Sequence, residues 1–184
     1  SSNLPQAVPP TTAIAPTANA SLVDLSKVAL HGSWGSRVDT VVRLLLALRS
    51  TAMASGDPAA AKAVIFSRDD QLLKLMATAC AMNGVWAARF GQGGQHHSEL
   101  GDFIAEVKMQ ALLLTARHDA SGLTLTAASH VIIVEPQPDI ATELQMVGRV
   151  HRIGQTRQTH VHRLVVGGSF EPVIATERVA SKRE

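Results

Sequence analysis

Residues 111–115, Ala-Leu-Leu-Leu-Thr, and residues 130–135, His-Val-Ile-Ile-Val-Glu, are two short runs whose interior side chains are all apolar. A strand with one wet face alternates apolar and polar residues, whereas the strands of a parallel sheet are covered on both faces and show continuous apolar runs. Both runs therefore predict buried strands of a parallel sheet. Asp139 follows the second run, where its side chain can cap a helix that carries Gln145 and Arg149.

The same alternation of strand and helix extends in both directions along the chain. Apolar runs at 63–66, 85–89 and 161–166 predict three further strands. Helical spacing of apolar residues predicts a helix over about 36–50 and a second helix that carries Leu72, Leu73, Met76 and Cys80. Ser67 and Asp70 offer cap chemistry for the second helix. Further helices are predicted from about Ser98, within 119–128 and from about Ser169. This βαβα pattern predicts an α/β fold, with a doubly wound, mostly parallel sheet and helices on both faces.

The overall composition is that of a folded globular protein. Of the 184 residues, 46% are hydrophobic and 17% are charged. Residues 1–24 are rich in Pro, Ala, Thr and Ser and predict a disordered linker, whereas 32–178 are predicted to form one domain and 179–184 a tail. The first residue is Ser rather than Met, so we expect a longer parent protein.

Charge, cysteine content and hydropathy narrow the class of protein further. Residues 145–184 hold seven Arg or Lys against three Glu, which predicts a weakly basic face that allows a polyanionic partner. The single cysteine, Cys80, excludes an internal disulfide and a cysteine-based zinc finger within this sequence, and it indicates a reducing compartment. No apolar run approaches the roughly 20 residues of a membrane span, so we expect an intracellular protein.

Residues 143–157, Glu-Leu-Gln-Met-Val-Gly-Arg-Val-His-Arg-Ile-Gly-Gln-Thr-Arg, contain the densest set of candidate functional side chains. Arg149 and Arg152 are three residues apart, so on a helix they share a face and can reach one target with two permanently charged guanidinium groups. A phosphate suits two such groups. Gly154 permits a sharp turn beside the pair, and Gln155 adds an uncharged donor and acceptor.

This stretch resembles the last signature motif of superfamily 2 helicases, which reads Q-x-x-x-R-x-x-R-x-G-Q in the Swi/Snf-type DNA translocases. Every position of that motif is filled here, by Gln145, Arg149, Arg152, Gly154 and Gln155. The motif alone is short, and the order of the segments that precede it adds to the likeness.

Three upstream segments are similar to other blocks of the same family, in the same order. They are Gly35-Ser-Arg-Val-Asp39 with its leucine-rich helix, Lys62-Ala-Val-Ile-Phe-Ser67, and residues 115–128 around Ser-Gly-Leu-Thr-Leu. The resemblance covers residues 32–178 and implies a RecA-like lobe of the P-loop NTPase type that lacks its own P-loop. It further implies that this lobe is the second of two in an ATP-driven motor on double-stranded DNA.

The resemblance also implies roles for individual residues. ATP and Mg²⁺ would be held mainly by a first RecA-like lobe, because neither a phosphate loop nor a magnesium-binding Asp-Glu pair occurs in this sequence. Arg152 is the expected catalytic arginine finger, supported by Arg149 and Gln145, since phosphoryl transfer spreads negative charge over the γ-phosphate oxygens. The expected nucleotide-binding residues are Asp119, Gly122, Gly154 and Gln155. The expected contacts with the DNA backbone are Ser67, Arg89, Ser121, Gly122 and Thr124.

Some positions depart from the usual Swi/Snf pattern. Thr124 stands where the G-x-G-L-N-L motif has asparagine, Ala120 replaces its first glycine, and residues 136–139 replace a P-W-W-N segment. These changes resemble the RING-bearing, helicase-like ubiquitin ligases of the SHPRH type. That resemblance implies a nuclear protein of DNA repair or chromatin, with a RING outside this chain that engages a ubiquitin-conjugating enzyme.

Two other functions stay open from the sequence. A lobe that had lost its partner lobe would be a non-catalytic docking module for DNA or protein, which the changes at Thr124 and 136–139 favour and the intact arginines disfavour. A complete small nucleotide-binding enzyme is disfavoured by the missing phosphate loop. On the motor hypothesis, the isolated chain neither binds ATP tightly nor hydrolyses it.

Several other features have an ordinary structural interpretation. The glycine-rich segment 91–94 lacks the Lys-Ser or Lys-Thr of a phosphate loop, so we expect a plain turn. The eight histidines include His160 and His162 on one strand face, but none is grouped with cysteine or carboxylate at ligand spacing, and no metal site is expected. Cys80 is expected to be a small buried hydrophobic residue.

Overall fold

Five parallel strands form the sheet around which the chain is organised. The strands are β1 (Ala63–Ser67), β2 (Trp86–Arg89), β3 (Met109–Thr115), β4 (His130–Ile133) and β5 (His160–Arg163), paired in the order β2-β3-β1-β4-β5. The helices are α1 (Ser36–Ala54), α2 (Asp70–Met82), α3 (His96–Ala105) and α4 (Ile140–Val150), with short 3₁₀ turns at Leu25–Lys27 and Pro58–Ala61. The computed structural model describes residues 24–90, 96–116, 123–137 and 139–166, with the side chains of residues 96 and 97 left out.

The sheet is covered on both faces, which confirms the predicted doubly wound α/β architecture. Helices α1 and α2 cover one face, where their apolar side chains pack on inward residues of β1, β3 and β4, including Val41, Leu45, Met76, Ile65, Leu113 and Ile132. Helices α3 and α4 cover the other face. The buried residues there include Phe103 of α3, Met146 and Val150 of α4, and Phe66, Leu112 and Ile133 of the strands. Because both faces are dry, the strands carry apolar residues without alternation.

The start of α2 differs from the sequence prediction. Asp69, rather than Ser67 or Asp70, is its N-cap, and the Asp69 carboxylate accepts hydrogen bonds from the N–H groups of Gln71 at 2.8 Å and Leu72 at 3.3 Å. The prediction was wrong because Ser67 is the last residue of β1, and its hydroxyl is occupied elsewhere in the fold. The predicted cap of α4 is confirmed, since Asp139 accepts from the Thr142 N–H at 2.6 Å.

One helix boundary and one predicted helix also differ from expectation. Helix α1 continues to Ala54, and a left-handed glycine follows it, Gly56 with φ of 77°. The helix predicted within 119–128 is absent over its described part, 123–128. There Leu125 is fully buried and its N–H donates to the Arg149 carbonyl at 2.9 Å, so the backbone bonds to α4 instead of forming its own helix.

Some sequence predictions lie outside the described residues. They are the linker predicted over 1–24 except for its last residue, the turn at 91–94, the helix from about Ser169 and the tail over 179–184. Cys80 is fully buried as expected, and burial raises the pKa of its thiol to about 12. No described helix combines the length and apolar character needed to cross a bilayer.

Three imidazoles meet on the α1 side of β4 and β5. His130 lies opposite His160 in the strand register, with ring centroids 5.0 Å apart, and its Nδ1 lies 3.0 Å from His162 Nε2. Burial lowers the pKa of His130 to about 3, helped by the nearby His162 and His160, and burial also lowers the pKa of His162. Within the described part of the chain, no group of three or more His, Cys, Asp or Glu could hold a metal ion.

This histidine cluster should make the lobe unstable in mild acid. Because the folded-state pKa of His130 is depressed, the unfolded chain binds more protons between about pH 6.5 and 3. The free energy of unfolding should therefore fall as pH falls through this window, by up to about 1.4 kcal/mol per pH unit for each such imidazole. Urea denaturation at several pH values measures this dependence.

His130→Gln should flatten that pH dependence, because its side chain does not titrate in this window. The matched control is His31→Gln, at an exposed histidine. If wild type, His130→Gln and His31→Gln lose stability in parallel below about pH 6.5, the histidine cluster is not the cause.

Candidate nucleotide and nucleic-acid site

A small cavity lies at the carboxyl ends of β1 and β3, where α/β sheets collect their ligands. Gln145 and Arg149 of α4 line it together with Phe66, Thr115, Ala116, Thr142 and Met146. The polar lining consists of one guanidinium, one amide and two hydroxyls, and none of the described lining residues is a carboxylate. This chemistry suits the oxygens of an anion such as phosphate. It does not suit Mg²⁺, because the guanidinium repels a cation and none of the described lining residues offers a carboxylate to bind it.

Arg149 and Arg152 occupy different positions relative to α4. The helix ends at Val150, so the expectation that both arginines share one helix face is wrong. Arg149 is half-buried at the cavity, and burial lowers the pKa of its guanidinium. Arg152 is exposed beyond the helix end, and its Nη1 donates to the Thr124 hydroxyl at 3.2 Å.

The segment before β4 brings the two arginines into one region. Thr124 contacts the Arg152 side chain, and the N–H of the next residue, Leu125, donates to the carbonyl of Arg149 at 2.9 Å. Two residues singled out from separate motifs, Thr124 and Arg152, are therefore in direct contact. Asp119, Ser121 and Gly122 lie outside the described residues.

Gly154 and Gln155 fix the loop that follows α4. Gly154 has φ of 100°, a left-handed conformation that side chains other than glycine rarely adopt. The Gln155 amide nitrogen donates to the carbonyls of Ala128 at 2.7 Å and Val150 at 3.2 Å, and its amide oxygen accepts the Arg157 N–H at 2.9 Å. Both ends of this side chain are thus used inside the fold, and its role at the nucleotide stays a prediction.

The remaining DNA candidates are also tied into the fold. Ser67 is fully buried, and its hydroxyl donates to Glu135 Oε1 at 2.7 Å. Arg89 is largely buried and pairs with Asp70, with Nη2 at 2.6 Å from Oδ1. Thr124 is exposed, as a backbone contact requires. Whether Ser67, Arg89 and Thr124 touch DNA stays a prediction.

Glu135 is a site residue that the sequence reasoning missed. It is 8% exposed, its Oε1 accepts the Ser67 hydroxyl, and its Oε2 accepts the Arg68 N–H at 3.2 Å. It therefore joins the end of β4 to the loop between β1 and α2. The sequence did contain a signal for Glu135, because this carboxylate ends an apolar run that was predicted to be buried. A buried charge requires hydrogen-bond partners, so a carboxylate at this position has to bind other polar groups.

Lys62 is a second missed residue, at the opposite end of β1. It is 3% exposed, its ammonium lies over the Phe103 ring, and it donates to the carbonyls of Phe103 and Ile104 in the last turn of α3. A cation is favourable at a helix C-terminus. Burial lowers the pKa of Lys62, and the nearby Arg157 acts in the same direction.

Known proteins match this sequence over most of its described length. Residues 47–154 match the family model of the helicase conserved C-terminal domain. Human E3 ubiquitin-protein ligase SHPRH is 35% identical over 144 residues, which are 78% of this chain and 8% of that protein. DNA repair protein RAD5A of Arabidopsis thaliana is 30% identical over 162 residues, which are 85% of this chain and 14% of that protein. The chain thus spans a small part of the length of these curated relatives.

Two solved structures have the same fold. The C-terminal part of the Fun30 ATPase domain aligns with a TM-score of 0.67 at 22% identity, over 82% of this chain and 48% of that one. The Sulfolobus solfataricus SWI2/SNF2 ATPase core domain aligns with a TM-score of 0.60 at 24% identity, over 83% of this chain and 31% of that one. The family match shows that the chain belongs to the helicase conserved C-terminal domain family, and its fold is that of a RecA-like lobe of Swi/Snf-type ATPases.

Proposed function

We propose that this lobe closes over ATP in a DNA-dependent motor that moves along double-stranded DNA. ATP and Mg²⁺ are held mainly by a first RecA-like lobe outside this chain, and Arg152, Arg149 and Gln145 meet the phosphates when the lobes close. The observation that carries the proposal is a pair of arginines at the carboxyl ends of the strands that have no counter-ion among the residues that the structure describes.

Among the described residues, three other arginines of the lobe each pair with a carboxylate, unlike Arg149 and Arg152. Arg89 pairs with Asp70, Arg157 with Asp57, and Arg163 with Glu143. Among the described residues, neither Arg149 nor Arg152 has a carboxylate partner, and Arg152 donates a hydrogen bond to the neutral hydroxyl of Thr124. Leaving the half-buried guanidinium of Arg149 uncompensated is costly unless an external anion neutralises it, whereas the exposed Arg152 is solvated by water. A nucleotide phosphate supplies that charge.

The two arginines have different tasks in this proposal. Arg149 is half-buried and already lines the cavity, so it orients the phosphate with Gln145. Arg152 is exposed and exchanges its hydrogen bond to Thr124 for the γ-phosphate when the first lobe approaches. A guanidinium delivered in this way stabilises the transition-state charge by an amount worth roughly 10³ to 10⁵ in rate.

The DNA-facing part of the proposal rests on the loop between β1 and α2. Glu135 fixes that loop through the Ser67 hydroxyl and the Arg68 N–H, and the Arg68 side chain is exposed with no carboxylate partner among the described residues. Arg68 therefore joins Thr124 as a candidate contact with a DNA phosphate. Such contacts carry affinity and position without reading the base sequence.

The wider setting is proposed from the relatives. One of them is named as an E3 ubiquitin-protein ligase and another as a DNA repair protein. We infer a nuclear parent protein of this kind, acting in DNA repair or on chromatin, in which a RING outside this chain engages a ubiquitin-conjugating enzyme. ATP binding closes the lobes, hydrolysis opens them, and the alternating grip moves the protein along the duplex.

A docking module without catalysis is the second candidate. Thr124, which differs from the asparagine of the family motif, is the residue that holds Arg152 in this structure. If that contact were permanent, the lobe would bind a partner and sense no nucleotide.

Arg152→Ala in the parent protein should lower DNA-stimulated ATP hydrolysis by roughly 10³ or more, because the transition-state charge loses its counter-ion. DNA affinity should stay nearly unchanged. Phosphate release with saturating DNA and a DNA-binding titration measure the two quantities. Arg163→Ala is the matched control, since Arg163 is exposed on β5 and pairs with Glu143.

The docking module predicts a different pattern for the same variants. A wild-type parent without DNA-stimulated hydrolysis would reject the motor. Equal hydrolysis by Arg152→Ala and Arg163→Ala would keep the motor and reject Arg152 as the finger.

The isolated 184-residue chain should show no ATP turnover above background and only weak ATP binding, because the phosphate loop and the Asp-Glu pair are missing from it. Phosphate release and calorimetric titration with Mg-ATP test this expectation. Appreciable turnover by the purified chain would contradict the two-lobe account.

Arg68→Ala in the parent protein should weaken binding to all DNA sequences alike. The slope of log K against log salt should become shallower by about one, as expected for one lost phosphate contact. Lys27→Ala is the matched control, because Lys27 is an exposed cation in the 3₁₀ turn before α1. The same slope in wild type and Arg68→Ala would remove Arg68 from the DNA-contacting surface.

A further inference from the structure

The loop between β1 and α2, called the β1–α2 loop below, consists of Ser67, Arg68 and Asp69. Ser67 ends β1, Asp69 is the N-cap of α2, and Arg68 lies between them with an exposed side chain. Ser67 pairs in register with Thr115, which lines the candidate nucleotide cavity. The loop and the cavity therefore share the edge of the sheet where the strands end.

Glu135 holds the β1–α2 loop from outside it. Its Oε1 accepts the Ser67 hydroxyl at 2.7 Å, and its Oε2 accepts the Arg68 N–H at 3.2 Å. The same Ser67 oxygen accepts the Asp69 N–H at 3.1 Å. The two backbone N–H groups that flank the Arg68 side chain, its own and that of Asp69, are thus bound to Glu135 directly or through Ser67.

The strand before it and the residue after it anchor Glu135 itself. The Val134 N–H donates to the Phe66 carbonyl at 3.0 Å, so the pairing of β4 with β1 continues up to the residue before Glu135. The Glu135 carbonyl accepts the side-chain amide of Gln137 at 2.8 Å, and Gln137 is fully buried. The carboxylate therefore carries the position of the sheet into the β1–α2 loop.

The carboxylates close to Arg68 in the chain or in the loop are committed to other partners. Asp69 accepts from N–H groups of α2, and Asp70 pairs with Arg89 at 2.6 Å. Glu135 binds the backbone of the loop rather than the guanidinium. The cation of Arg68 is therefore left for an anion outside the lobe.

We propose that Glu135 is a positioning residue for DNA binding, an acidic side chain that strengthens the grip on a polyanion because it fixes the β1–α2 loop. It does not contact DNA and acts through Arg68, whose backbone is already set when a phosphate arrives. A side chain presented from an ordered backbone loses less conformational freedom on binding, so the same contact gives more affinity. The inference rests on the proposed function, in which Arg68 contacts a DNA phosphate.

The bonds to Glu135 need acceptors more than they need charge. The Arg68 N–H can only donate, whereas the Ser67 hydroxyl can donate or accept. Glutamine can therefore keep both bonds without the charge, because its oxygen accepts the Arg68 N–H while its NH₂ group donates to the Ser67 oxygen. Methionine is of similar size and has only a weak acceptor. Glu135→Met and Glu135→Gln thus separate hydrogen bonding from charge.

Glu135→Met in the parent protein should raise the DNA concentration at half-maximal stimulation of ATP hydrolysis by roughly three- to tenfold, about the share of one phosphate contact. The maximal rate at saturating DNA should change much less, because the loop takes no part in phosphoryl transfer. Glu135→Gln is the matched control and should stay close to wild type. Since loss of a negative charge alone favours binding to DNA, a charge effect would have the opposite sign.

A double-mutant cycle with Arg68→Ala shows whether Glu135 acts through Arg68. If it does, Glu135→Met adds little to the weakening caused by Arg68→Ala, and each single variant makes the salt dependence shallower by about one. Ser67→Ala removes one of the two bonds and should weaken DNA binding in the same direction. It serves as the second variant if Glu135→Met does not fold, and thermal unfolding shows which variants are folded at the assay temperature.

Three results would overturn the inference and leave Arg68 as a DNA contact. They are wild-type DNA affinity in the folded Glu135→Met or Ser67→Ala variant, effects of Glu135→Met and Arg68→Ala that multiply, and equal weakening by Glu135→Met and Glu135→Gln. Wild-type affinity of Arg68→Ala would instead reject both the inference and the DNA contact on which it rests. The Arg152→Ala measurement tests the motor separately from all of these.

Discussion

The constraint on which this structure depends is that a parallel sheet must be covered on both faces. The interiors of β1, β3 and β4 are apolar on both sides because α1 and α2 bury one face while α3 and α4 bury the other. Polar side chains are therefore confined to the strand ends. Lys62 before β1 binds the last turn of α3, and Glu135 after β4 binds the loop that follows β1. These two residues link elements that the apolar core alone does not align.

The same constraint places the candidate site. With both faces covered, the carboxyl ends of the strands are where side chains from several elements converge, and the cavity there is lined by α4 and by the ends of β1 and β3. The loop after α4 is fixed by Gly154 in its left-handed conformation and by the Gln155 amide, which bonds to Ala128 and Val150. A loop held by these hydrogen bonds thus presents the exposed guanidinium of Arg152.

Much of the fold was predictable because local signals agreed with the tertiary structure. The all-apolar runs predicted β1, β3 and β4, and Asp139 predicted the start of α4. Other features depend on contacts between residues distant in sequence. The N–H of Leu125 donates to the carbonyl of Arg149. The sequence of residues 123–128 does not reveal this bond, which uses a backbone group that a local helix would need.

Some features of the candidate site were also predictable from local sequence, and others depend on the fold. A spaced motif identified Arg149, Arg152 and Gln155 together, but it could not show that α4 ends between the two arginines or that Gln155 serves the fold. Ser67 was expected to contact the DNA backbone, yet a carboxylate 68 residues further along the chain accepts its hydroxyl in the interior. Cross-strand partners of this kind are set by topology, which a linear pattern does not specify.

The central claim is that Arg152 leaves Thr124 to meet the γ-phosphate when the lobes close. The most direct measurement is a structure of the parent protein bound to double-stranded DNA, ADP and a γ-phosphate mimic. The account predicts that the Arg152 guanidinium lies within hydrogen-bond distance of the mimic, with Arg149 beside it. A closed complex in which Arg152 still bonds to Thr124, with the nucleotide contacted by the first lobe alone, would contradict it.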